Sequence, residues 1–138
     1  MKEHATVSIR LGLGVVFGWF GVDKFIHPEA WFKWVPAWVS GIAPVPPNMM
    51  MYAQGGLEVL IALFLVLGLF TRVIAVIASV LLAGIILSSG GIHDITIRDL
   101  GLFSAALSLA FSGASVFSID RLRKGDGDKP SKIEEDLL

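Results

Sequence analysis

The chain contains no cysteine. That removes disulfide exchange, thiolate catalysis and thiolate-ligated metals, and it leaves the redox compartment undetermined. Charge is also scarce. Only 17% of the 138 residues are Asp, Glu, Lys or Arg, against about 25% in an average soluble domain. A net charge of −1 offers no basic surface to nucleic acid. Metal-ligand spacing is missing too: there is no HxxxH or ExxH pair. No Rossmann fingerprint is present either. The scarcity of charge has one informative exception. Between Lys33 and Arg72 the single charged residue is Glu58.

What fills the chain instead is apolar residue, 54% of the total, gathered in blocks. Four segments have the length and composition to span a bilayer: 6–26, 49–70, 73–89 and 96–117. A helix needs about 20 residues to cross about 30 Å of hydrocarbon. A soluble bundle would need a polar face on each helix, and the third segment has none. The first segment is too long for a cleavable signal peptide and no small-residue cleavage site follows, so it reads as an anchor. The expected fold is therefore all-α: an antiparallel bundle of four transmembrane helices within residues 1–120. The polar stretch 121–138 is expected to be a disordered cytoplasmic tail.

Four spans put both termini on one side. That side holds Lys2, Arg10, Arg72, Arg121, Arg123, Lys124, Lys129 and Lys132, whereas the other holds Lys24, Lys33 and Arg98. The positive-inside rule places both termini in the cytoplasm and the protein in the plasma (inner) membrane. Gly68, Leu69, Phe70, Thr71 and Arg72 make so short a turn that the second and third helices are expected to be antiparallel neighbours. On the outer side, Trp31, Trp34 and Trp38 follow helical spacing after Pro28. They predict one short interfacial helix ending near Pro36, either an anchor at the membrane surface or a lid over a cavity.

Small residues mark the faces expected to pack: Gly14, Gly18 and Gly21 in the first span, and Ala75, Ser79 and Ala83 in the third. In the fourth span Arg98, Gly101, Ala105, Ser108, Ser112 and Ser115 form such a stripe, expected to face the bundle. In the second, Gln54, Glu58 and Ala62 share a face beside Gly55. A carboxylate in hydrocarbon costs at least about 2.5–3.5 kcal/mol, so Glu58 should be paired or face a polar cavity. Its expected partner is Arg98 or Lys24, with Asp99 or Asp23 completing a network. Such a network is either a clasp joining helices or an outward-facing pocket. His27 and His93 are candidate proton carriers, or ordinary loop histidines.

Three segments, GVDKFIHP, GGLEVLIALFLVLGLFTR and GGIHDITIRDLGL, carry a resemblance over about residues 7–117 to the DoxX family of small four-helix membrane proteins. The family takes its name from a thiosulfate:quinone oxidoreductase subunit. The resemblance puts its recurring motif positions on Asp23 and Lys24, on Glu58, and on Arg98 and Asp99. It implies a membrane partner of a redox protein, with quinone as the cofactor expected here. In that reading Glu58, Arg98 and Asp99 carry the chemistry, while Asp23, Lys24, Gln54, Trp31, Trp34 and His93 hold the quinone. Electrons would come from a partner protein. Two alternatives stand beside it: a scaffold or assembly component without catalysis, and a small transporter that functions as a homo-oligomer.

Overall fold

Backbone amides in hydrocarbon have no water to bond, so an apolar chain of this kind must satisfy them within helices. The computed structural model describes residues 2–42, 44–113, 118–120 and 122. It contains α1 (Lys2–Ile26), a 3-10 helix (Pro28–Trp34), α2 (Ala37–Ile42), α3 (Pro47–Leu67), α4 (Thr71–Ser88) and α5 (Asp94–Ser112). Four of these, α1, α3, α4 and α5, are long and apolar enough to cross a membrane. The all-α four-helix bundle is thus observed.

Helix ends differ from the sequence-based spans for local reasons. The second span ends at Leu67 because Gly68 takes the left-handed conformation, with φ of 68°. The Gly68 N–H donates to the Leu65 carbonyl and the Leu69 N–H to that of Phe64, a pattern that closes a helix C-terminus. Gly113, with φ of 77°, ends α5 at Ser112 rather than at 117. Ser115 and nearly all of the expected tail lie outside the described residues. The single interfacial helix also needs correction. Pro36 follows a 3-10 helix that ends at Trp34, and Trp38 belongs to the separate α2. A proline there lacks the N–H that would continue the helix.

Glycine brings α1 against α3. A Cβ on Gly55 would lie 2.7 Å from the Gly21 carbonyl oxygen, and one on Gly21 would lie 2.9 Å from the Gly55 oxygen. Further along, Gly14 approaches Ala62 and Val66. Because α1 numbers rise as α3 numbers fall, the two helices are antiparallel. The other close pair is α4 with α5. By contrast α3 and α4, though joined by the tight turn, make few contacts with each other. Near that turn Asp120 seals the bundle. Its carboxylate accepts the N–H groups of Phe70 and Thr71, each at 2.8 Å, and so caps the start of α4. Arg72 lies against Gly113 at the end of α5, where a cation suits the helix dipole.

One expected face is overturned in part. Gly101, Ser108 and Ser112 of α5 are exposed, while Asp99, Ala106 and Leu109 are buried. Arg98 and Ala105 of the same stripe are half-buried, and Ala105 packs on the core; the other small residues point away because the Asp99 carboxylate takes the inward side. Turning a carboxylate to lipid costs more than turning glycine and serine there.

Gly55→Val is expected to lower stability by about 1–3 kcal/mol through overpacking against the Gly21 backbone. Gly12→Ala, where a Cβ meets nothing within 4 Å, should leave the melting temperature in detergent unchanged.

Candidate functional site

The buried face of α1 runs Arg10, Gly14, Phe17, Gly21, Lys24, in steps of four and three. Gly55 of α3 seats against α1 between Gly21 and Lys24, and because the helices are antiparallel the long Lys24 side chain reaches along α3 to Glu58, one turn from that contact. There the Lys24 ammonium donates to Glu58 Oε2 at 2.7 Å, with each side chain only 4% exposed. One turn earlier on α3, the Gln54 amide donates to Glu58 Oε1 at 3.3 Å. Both carboxylate oxygens are therefore engaged. Of the two partners expected for Glu58, Lys24 takes the place.

Arg98 and Asp99 form a second pair within α5. The Arg98 Nε and Nη2 groups both donate to Asp99 Oδ1, at 2.8 and 2.7 Å. Asp99 is buried and Arg98 is 36% exposed. The guanidinium sits 4.3 Å from the centroid of the Phe20 ring. Phe20 in turn meets Trp31 edge-on at 5.6 Å, and Trp31 carries the Lys24 ammonium 4.1 Å from its own centroid. Aromatic faces attract cations through the ring quadrupole. The two ion pairs are thus joined by an aromatic bridge rather than by a continuous salt-bridge network.

Phe20 was not among the residues expected at the site. Its signal was available, since it precedes Lys24 by one helical turn and shares its face.

These groups border a cavity of about 910 Å³. That is near the upper end of the usual range for ligand sites, about 300–1,000 Å³. Lys24, Trp31, Trp34, Gln54, Glu58, Arg98 and Asp99 line it, among mostly apolar neighbours such as Phe17, Met51 and Leu82. Asp23 and His93 do not. They brace the two tryptophans instead. Asp23 Oδ2 accepts the Trp31 indole N–H at 2.9 Å, and His93 packs edge-on against Trp34 at 6.1 Å. Asp23 and His93 were expected to hold ligand. Asp23, one position before Lys24 on α1, points instead toward His27 and Trp31, and His93 stands at the start of α5 outside the lining. His27, also outside the cavity, stands 3.1 Å from Asp23 Oδ1 and is exposed to solvent.

The arrangement offers hydrogen-bond donors to a ligand. Lys24 has three N–H groups and Arg98 five, and the two ion pairs use only some of them. Among the described residues the two cations of the lining are matched by two carboxylates, with no net formal charge.

A family profile described as DoxX matches residues 5–91. This interval contains Asp23, Lys24 and Glu58 but ends before Arg98 and Asp99. No curated protein and no solved structure matches the chain.

Lys24→Met is expected to destabilise the bundle by about 3–5 kcal/mol, because it leaves the Glu58 charge buried and alone. The exchange Lys24→Glu with Glu58→Lys should recover much of that loss in thermal unfolding. Swap and single variants of equal stability would show that the pair does not hold α1 to α3.

Proposed function

We propose, from the premise that the chain belongs to the DoxX family, that this integral membrane protein is the quinone-binding membrane subunit of a redox system. The observation that carries the proposal is a large apolar cavity whose charges, among the described residues, are two ion pairs of zero net sum. A neutral ring with two carbonyl acceptors suits that lining better than an anion, which would lack a spare positive charge. Lys24, Arg98 and Gln54 would donate to the carbonyls. Trp31, Trp34 and Phe20 would flank the ring, and Glu58 and Asp99 would hold and pass protons. A bound quinone supplies two-electron, two-proton chemistry. The chain has no cysteine for an iron–sulfur cluster, so the electrons are assigned to a partner protein. The excess of Lys and Arg on the side of the termini supports cytoplasmic termini, an inner-membrane location and an outward-facing cavity.

A second reading is favoured by one observation: Lys24 and Glu58 are both buried and mutually satisfied at 2.7 Å. In that reading the pair is a clasp and the protein is a non-catalytic scaffold for other membrane components.

The test is a titration of decyl-benzoquinone into the protein in lipid nanodiscs. It follows the fluorescence of Trp31 and Trp34 in a Trp19→Phe, Trp38→Phe background. Saturable quenching is expected, and Arg98→Leu should weaken it about tenfold, the equivalent of about 1.4 kcal/mol. Quenching that never saturates, or that is indifferent to Arg98→Leu, would reject the quinone site in favour of the scaffold.

A further inference from the structure

The cavity is not walled evenly. On α3, Gly55, Val59, Ala62 and Val66 occupy the flank that packs α1. At 100° per residue, Ala53, Gln54 and Leu57 lie on the other flank, and these line the cavity. On α4, Ala75, Ala78 and Leu82 are buried. Leu81, Ile85 and Ser88 turn from that face along one flank, and they too line the cavity. The lining then continues around both helices to their outer surfaces. Met49 and Val80 border the cavity although 62% and 68% exposed. Gly84, also a lining residue, is exposed and a Cβ there would meet nothing within 4 Å. Outer surfaces of membrane spans face hydrocarbon.

The opposite end is closed differently. Trp31, Trp34, Val35, Pro36 and Val39 border the cavity from the 3-10 helix, the two-residue link after it and the start of α2. They roof it with apolar side chains where the spans α1, α3 and α5 meet the loops.

We infer that the cavity opens sideways into the bilayer between α3 and α4, and that it takes a lipid-soluble amphiphile whose polar head lies at the two ion pairs and whose apolar tail lies in the α3–α4 cleft. The weak contact between these consecutive helices is what forms the cleft. The proposal rests on the quinone reading only for the identity of the head group. The cleft belongs to the helix geometry and is tested separately.

Gly84→Phe fills the cleft without meeting a neighbour at its Cβ. Gly101→Phe is the control, because Gly101 is equally open and lies outside the cavity lining. The first measurement uses nanodiscs of phosphatidylcholine brominated at mid-chain, again in the Trp19→Phe, Trp38→Phe background. Acyl chains in the cleft should quench Trp31 and Trp34. Gly84→Phe should remove the part of the quenching that Gly101→Phe retains. Equal quenching in both variants would overturn the lateral opening. The second measurement compares decyl-benzoquinone with the same ring lacking its tail. Gly84→Phe should weaken the tailed compound about tenfold relative to the tail-less one. Equal loss of both, or of neither, would overturn placement of the tail in the cleft. Absence of saturable binding by either quinone in the unmodified protein would reject the quinone reading, while the brominated-lipid result still decides the opening.

Discussion

The contact between Lys24 and Glu58 constrains everything around it. A lone carboxylate or ammonium at this depth would be expensive to hold in hydrocarbon. Paired at 2.7 Å, the two charges require α1 and α3 to run side by side at a single register and at close range. Glycine at positions 21 and 55 makes that range possible, since either Cβ would strike the opposite backbone. Once α1 and α3 are held together, α3 has only one flank left for α4. The tight turn at Gly68 keeps the two helices connected at one end without packing them along their length. The open cavity follows from that arrangement.

The four-helix architecture was legible in the sequence because apolar length is a direct consequence of bilayer thickness. Glu58 was legible as a buried, partnered group for the same reason: an isolated charge in an apolar run has few tolerable environments. Its choice of Lys24 over Arg98 was less accessible. Position along the chain does not separate the two cations, and the decision depends on how Gly55 seats against α1 beside Gly21 and Lys24. The α5 face was misjudged because the small-residue rule and the Asp99 charge favoured opposite sides, and the charge prevails. Trp31 and Trp34 could be assigned to the boundary region from composition. The roles of Asp23 and His93 in bracing them depend on loop geometry that no periodicity encodes.

Burial of paired charges and possession of a ligand cavity are compatible here. In each pair the carboxylate is shielded, while the cation retains donors that border the cavity. Phe20 and Trp31 lie between the pairs, so each cation has an aromatic face as well as a carboxylate. Such cations are oriented before any ligand arrives. A carbonyl group meeting them would not have to recruit or reorganise them, and preorganisation of this kind reduces the free energy spent on ordering side chains.

The Asp120 cap bears on the order in which the protein is made. Its carboxylate receives the N–H groups of Phe70 and Thr71, some fifty residues earlier in the chain. During synthesis α4 leaves the ribosome ahead of Asp120, which lies 32 residues beyond the end of that helix at Ser88. Until Asp120 follows, those two amides depend on water at the membrane surface. Their final partner follows α5 in the chain, so this end of the bundle can close only once α5 has been made.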